Sequence, residues 1–455
     1  MNIYIELEVL RRELEGRLLV GLNLRLKKHR VFLGSRESIF DAALKKKISP
    51  GIIFMKDTNS TKDYIDIYKQ ILELGFKIVS QDEEGGYIDD SFELYSKLRH
   101  LDGESFKYIE KYFCWGKRDQ EYLEKKFSNK CKYIITGSPR IELCKPFMKM
   151  PHEKFTDKYK VNKKFIFFSI QTPIIFARSF PERMKLKLDS LLDGEDRNEI
   201  NRIKYEDECI GILLLNKFIE LIMFLLKNLN DYEIVIRTHP AAEEKNFLDL
   251  LSFNHPKLHI ISKGFMSEFI NHSEIVIHNS CTGALEAFIA EKPVISFVPE
   301  IKIDVQKKMN NFPNRIGIEL SNNQQIMDFI QNPKRNFTEK QEIENRVYTE
   351  KPSHELIADN INNIDIKTKN NFAKFNYTFK KSYTYYFLKR NAKKILKKLF
   401  NYKFPENSSR YIKFYQDFKL ENLEEILNNV KNKKINQEYD NFKIKLINDS
   451  IFEIK

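Results

Sequence analysis

A chain of 455 residues is too long for one ordinary domain, and 42% hydrophobic with 13% aromatic residues exclude a disordered protein. Of the net charge of +13, 12 units fall between Ile366 and Phe404, where no acidic residue occurs. The rest is therefore nearly neutral, unlike a protein that coats nucleic acid. Five scattered cysteines without a CxxC pair argue against a disulfide framework or structural zinc and point to a reducing cytosol.

In chain order, the first region alternates strand and helix signals. A strand at Asn2–Ile5 leads to a helix over Val9–Lys28, a strand at Arg30–Leu33 and a turn at Gly34–Ser35. A strand at Gly51–Met55, a helix at Lys62–Leu74 and strands at Lys77–Ser80, Phe113–Cys114 and Tyr133–Thr136 follow. Gly or Ser at the strand ends suits the ligand crevice of a doubly wound sheet. Lys145–Lys164 reads as a linker. A second series then runs through strands Phe165–Ser169, Glu233–Ile236, His259–Ile261, Glu274–Ile277 and Pro293–Phe297, with helices Ile210–Leu229, Met266–Asn271 and Thr282–Ala290. The apolar stretch Gly211–Leu229 is broken by Lys217, Glu220, Lys227 and Asn228. It reads as a buried helix, since a bilayer span needs ~20 mostly apolar residues.

The fold expected is α/β: GT-B, two Rossmann-like domains facing a cleft, plus a C-terminal helical basic appendage. Its parts are an N-terminal domain over 1–150, a nucleotide-binding domain over 163–340, a helical closing segment over 341–365, and a basic helical appendage over 366–455. Helices are expected at Asn323–Gln331 and His354–Ile364. In the appendage Leu388, Ala392, Ile395, Leu396 and Leu399 recur at helical spacing between lysines and arginines, an amphipathic basic pattern suited to docking on the enzyme or on a membrane.

Three stretches carry chemistry. His278–Glu286 lies between a strand and a helix; Ser280, Thr282 and Gly283 at the helix start suit phosphate oxygens, and Glu286 suits ribose hydroxyls. A serine or threonine there is also an ordinary helix cap. Arg237-Thr-His-Pro240 ends the neighbouring strand, where His239 could donate to a leaving phosphate and Arg237 act as a fixed cation or a salt-bridge partner. Gln81-Asp-Glu-Glu-Gly-Gly86 follows a first-domain strand. Three adjacent carboxylates repel one another, which tends to raise a pKa and suits Glu83 or Glu84 to act as general base; an exposed acidic turn is the plain alternative.

In this order the three stretches resemble the motifs of bacterial sialyltransferases of GT-B fold and, more loosely, capsule Kdo transferases. Glu83-Glu84-Gly85 matches the acidic motif and His239-Pro240 the His-Pro motif. Ser280 falls at the serine motif, but Asn279 and Cys281 stand where that pattern has paired serines. Residues 1–365 are more closely similar to the group of surface carbohydrate (polysaccharide) biosynthesis proteins, through Ile5-Glu-Leu-Glu8, Arg11-Arg-Glu-Leu14, Val31-Phe-Leu-Gly34, Asp82-Glu-Glu-Gly85, Phe113-Cys-Trp-Gly116 and Thr136-Gly-Ser-Pro-Arg140.

The resemblance implies a glycosyltransferase of capsule or lipopolysaccharide assembly. It would transfer a Kdo- or sialic-type sugar acid from a CMP-activated donor to a lipid-linked glycan acceptor. Glu83 would be the base, His239 would assist departure, and Arg237, Ser280 or Lys56 would receive the sugar-acid carboxylate. No cofactor or metal is called for, because the second domain has no DxD-like pair placed to hold Mg²⁺ on a diphosphate. The expected place is the cytoplasm, peripheral at the inner face of the cytoplasmic membrane through the basic tail, without nucleic acid as partner. Alternatives are a CDP-polyol phosphotransferase of teichoic-acid type and a UDP-sugar 2-epimerase.

Overall fold

The computed structural model describes residues 1–85, 103–128, 131–170, 197–237, 255–261, 263–301, 312–335, 339–366, 418–433, 435–447 and 450–455, with backbone alone for 197–209. It forms two units, Met1–Leu143 with Gln341–Lys455, and Cys144–Lys340. Each is a Rossmann-like α/β unit, so the tandem architecture expected from the alternating signals is present.

The first unit is built on β1 (Asn2–Leu7), β2 (Arg30–Ser35), β3 (Ile52–Met55), β4 (Lys77–Ser80), β5 (Lys111–Cys114) and β6 (Lys132–Ile135), paired in parallel in the order β2-β1-β3-β4-β5-β6. The sheet is covered closely enough that the runs Ile3–Ile5 and Ile52–Met55 are wholly buried, as continuous apolar strands require. Helix α1 (Leu10–Leu26) is buried nearly all round, including Glu13, Glu15 and Arg17. Besides the sheet, helices Pro139–Glu142, Ser353–Asn362 and Leu420–Asn432 pack on it. The chain winds one way from β1 to β2 and the other way from β1 to β3, so the topological switch point lies between β1 and β3.

The second unit contains β7 (Lys164–Ser169), β8 (Tyr232–Arg237), β9 (Leu258–Ile261), β10 (Ile275–His278), β11 (Val294–Phe297) and β12 (Ile318–Leu320). All pair in parallel in the order β12-β11-β10-β7-β8-β9. Its switch point lies between β7 and β10. The long helix Arg197–Asn228 supplies Leu215, Phe218, Leu221, Ile222 and Leu225 to the core under this sheet.

Three sequence expectations change. The end of the chain is not a purely helical appendage. After the helix Leu420–Asn432, strands β13 (Ile444–Leu446) and β14 (Ile451–Ile454) extend the first sheet, with β14 antiparallel to β2. Without β14, the ladder edge of β2 would be open. Strands this short, 3 and 4 residues, leave little periodicity to read. The amphipathic basic pattern around Leu388–Leu399 lies outside the described residues.

The expected linker also carries the helix His152–Tyr159. Its Phe155 is buried between Phe165 (ring centroids 5.6 Å apart) and His272 (4.2 Å), which ties it to the second unit. Finally, the strand-end glycines Gly116 and Gly137 face no crevice. A Cβ at Gly116 would strike the backbone at Asn345 and Arg346, and one at Gly137 the carbonyl of Tyr348. The returning segment around 345–353 fills the carboxyl ends of β5 and β6, so the smallness of these residues serves chain packing.

Candidate functional site

In the second unit the β7–β10 switch point is formed by Ser169 at the end of β7, His278 at the end of β10 and Asn279-Ser-Cys-Thr282 after it. His278 is fully buried. Ser296 spends its hydroxyl proton on the Ile316 carbonyl at 3.0 Å, so it accepts from Nε2–H of His278 at 3.0 Å. Burial holds the imidazole neutral, with its pKa pushed down to about 3 against the hydrogen bonding that opposes it. It is a structural post beneath the loop.

Asn279, also buried, donates to the Phe297 carbonyl at 2.7 Å and so ties the end of β10 to the end of β11. Ser280 donates its hydroxyl to Asn279 Oδ1 at 2.9 Å. Its backbone N–H donates to Asn314 Oδ1 at 2.6 Å, and Asn314 Nδ2 donates back to Ser280 Oγ at 3.1 Å. Cys281 Sγ lies 3.0 Å from Ser169 Oγ and accepts weakly from the Gly283 amide at 3.5 Å; burial pushes its thiol pKa up. Ser280, Cys281 and Thr282 are half-buried and make the solvent-facing rim above buried Asn279 and Ser169.

The following helix, Gly283–Ile289, has seven residues, and its first amides are already engaged. Ala284 N–H donates to Cys281 O and Leu285 N–H to Thr282 O, both at 3.1 Å. The expected row of open N–H groups is therefore not what this helix offers. Thr282, at the N-cap position, makes no side-chain cap bond, and the Ser280 oxygen accepts from Asn314 Nδ2. Glycine is required at 283 because a Cβ would stand 2.7 Å from Ser169 Oγ. Glu286 is 2% exposed, inside the unit rather than on the rim where a ribose diol would meet it.

Arg237 ends β8 and is buried. It donates to the Gly264 carbonyl from Nε at 3.2 Å and from Nη2 at 2.8 Å, which makes it a brace for the turn before helix Met266–His272. Thr238, His239 and Pro240 lie outside the described residues, as does Gly86.

In the first unit the acidic stretch does not gather its carboxylates at one point. Buried Glu83 accepts from Arg17 Nε at 2.6 Å, and Arg17 also donates to the Met55 and Gln81 carbonyls and lies 3.9 Å over the Phe54 ring. Glu84, with 46% of its side chain exposed, pairs with Arg12 at 2.7 Å. Asp82 Oδ1 accepts from the Glu84 amide, and the Asp82 carbonyl accepts from Trp115 Nε1. The expected mutual repulsion is thus replaced by separate partners, two of them arginines on α1.

Beside them lies a second charged network at the β1–β3 switch point. Glu6 accepts from Arg36 Nε at 2.7 Å and from the Lys56 amide at 3.1 Å, and Arg36 also pairs with Asp57. Burial pushes the Glu6 carboxyl up to about 7; Arg36 and Lys56 oppose this and Asp57 adds to it. The Lys56 ammonium pairs with Glu8 and has Glu13 and Asp57 within 4 Å, so it is not set to receive another carboxylate.

Sequence reasoning missed Ser169, Asn314, Glu6, Arg36, Arg12 and Arg17. A charge inside the apolar run of β1 was a usable signal for Glu6; Asn314, among several asparagines, carried none. Among the described residues no group of three or more His, Cys, Asp or Glu side chains is placed to hold a metal ion. No helix among them is long and apolar enough to cross a membrane.

No family model matches the chain, and no curated protein matches it in sequence. Its backbone is similar to that of solved enzymes. The UDP-GlcNAc 2-epimerase of Methanocaldococcus jannaschii aligns over 79% of this chain and 99% of its own, with 13% identity and a TM-score of 0.47. The UDP-GlcNAc 2-epimerase of Neisseria meningitidis, bound to UDP-GlcNAc, aligns over the same shares with 13% identity and a TM-score of 0.43. The wall teichoic acid polymerase TagF aligns over 79% of this chain and 87% of its own, with 11% identity and a TM-score of 0.46. At these values the likeness is one of chain course only.

Proposed function

We propose that this chain is a GT-B enzyme of surface-carbohydrate assembly whose second unit binds a nucleoside-diphosphate-activated sugar or polyol at the β7–β10 switch point. One observation carries the reading: a half-buried rim of Ser280, Cys281 and Thr282, held above buried Asn279 and Ser169 where the strand order reverses. A CDP- or UDP-linked donor is preferred over a CMP-linked sugar acid on geometry. Two cations expected to take the acid's carboxylate are engaged, Lys56 by Glu8 and Arg237 by the Gly264 carbonyl.

In the first unit Glu84, the more exposed carboxylate, takes the proton of an acceptor hydroxyl, and Glu83 holds α1 to the acidic loop. The basic segment 366–404 brings the enzyme to an anionic membrane surface carrying a lipid-linked acceptor.

Calorimetric titration with CDP, UDP and CMP tests the donor reading. CDP or UDP should bind, and Thr282→Trp, which places a bulky side chain on the half-buried rim and leaves the tight contact of Gly283 with Ser169 intact, should abolish binding. Binding of CMP alone would return the sugar-acid reading, and binding of none would refute a nucleotide site.

A further inference from the structure

Five non-glycine residues among those described have positive φ: Lys28, Lys46, Lys160, Ser280 and Glu291. Four of them close helices. Lys28 follows α1, Lys46 follows the helix Arg36–Leu44, Lys160 caps His152–Tyr159 and Glu291 follows Gly283–Ile289. A helix C-terminus is the ordinary place for a left-handed residue. Ser280, with φ of +51°, closes nothing; it stands between β10 and the next helix, on the switch-point rim.

A left-handed serine is disfavoured by its Cβ and persists only where its surroundings impose it. Asn314, 2% exposed, binds Ser280 at both ends: its carbonyl oxygen takes the Ser280 amide and its NH2 reaches the Ser280 hydroxyl. That hydroxyl is fastened in turn to Asn279, itself anchored to the Phe297 carbonyl. The turn is therefore fixed by a chain of side-chain amides.

We propose that Asn314 is a positioning residue that locks Ser280 in the left-handed conformation and so presents the Ser280–Thr282 rim in a ligand-ready shape before any ligand binds. This deepens the nucleotide-site reading and rests on it for the ligand's identity. Preorganisation of this kind improves affinity because less ordering remains to be done on binding.

The test is a double-mutant cycle, because it separates the lock from any contact that Ser280 itself makes. Asn314→Ala should speed iodoacetamide labelling of the neighbouring Cys281, read by peptide mass without nucleotide, and weaken CDP or UDP binding roughly tenfold. Glycine occupies the left-handed region without a Cβ penalty. In a Ser280→Gly background, where only the bond from the residue-280 amide to Asn314 remains, Asn314→Ala should therefore have a much smaller effect on labelling and affinity. Asn314→Asp keeps an acceptor for the Ser280 amide and should keep labelling slow, which guards against a trivial folding defect.

Equal effects of Asn314→Ala in the parent and in the Ser280→Gly background, or no change in labelling in either, would overturn the lock. The labelling arm needs no nucleotide, so failure to bind CDP or UDP would refute the nucleotide site while labelling still decides the lock.

Discussion

Replacing Glu83 and Glu84 separately by glutamine should split stability from turnover. The Glu83–Arg17 contact is 2.6 Å long with side-chain exposures of 6% and 1%, and Arg17 sits over Phe54 with further bonds to strand-end carbonyls. Removing one charge of a buried pair costs roughly 3–5 kcal/mol; glutamine retains an acceptor oxygen, so about 3 kcal/mol is expected. The Glu84–Arg12 pair is exposed at 46% and 23%, where screening leaves about 1 kcal/mol or less. Trp115 is the single tryptophan, and its indole donates to the Asp82 carbonyl at 2.7 Å, so its fluorescence follows urea unfolding of the first unit beside the altered loop. Glu83→Gln should lower the urea midpoint clearly yet keep turnover per folded molecule. Glu84→Gln should leave the midpoint nearly unchanged and lose turnover by about 10²-fold or more. An unshifted midpoint for Glu83→Gln, or full turnover in Glu84→Gln, would refute the assignment.

Three further outcomes are expected. Burial lowers the pKa of His278 to about 3, below the ordinary 6.5. Between about pH 6.5 and 3 the unfolded second unit thus binds more protons at this residue than the folded one, and stability falls on acidification by up to ~1.4 kcal/mol per pH unit. The raised Glu6 works in the opposite sense in the first unit, where its contribution is present below about pH 4.5 and is lost as pH rises through about 7. Hydrogen exchange corrected for intrinsic rates should therefore show β10 losing protection from pH 7 to 5, and unchanged β10 protection would contradict the histidine assignment. For the tail, Ile451, Phe452 and Ile454 are at most 1% exposed in the β14 ladder, so Phe452→Ala should destabilise the first unit by about 3 kcal/mol or more in urea. Membrane attachment is then best tested by changing Lys389, Arg390, Lys393, Lys394, Lys397 and Lys398 to Gln. Flotation of the parent on anionic vesicles should be lost in this variant, and equal flotation of both would argue against the charge-driven contact.

The sequence by itself determined the tandem α/β layout. Buried parallel strands such as Ile52–Met55 and Phe165–Ser169 must be continuous apolar runs, and runs bounded by Gly, Ser or Asn can be read locally. It also marked His278–Glu286 as a polar stretch between strand and helix, because a small polar run there is a local signal. Only the tertiary structure decided what those residues do. Glu83 and Glu84 are adjacent in sequence, yet one is sealed against Arg17 and the other stays accessible beside Arg12, a difference set by the way α1 lies over the loop. Gly116 and Gly137 read as crevice residues until the chain returned over 200 residues later to pack on them. Ser280 owes its left-handed turn to Asn314, 34 positions away in the chain. Burial and pairing arise from surfaces that meet only after the sheets have formed, whereas strand and helix patterns are written within a few residues of themselves.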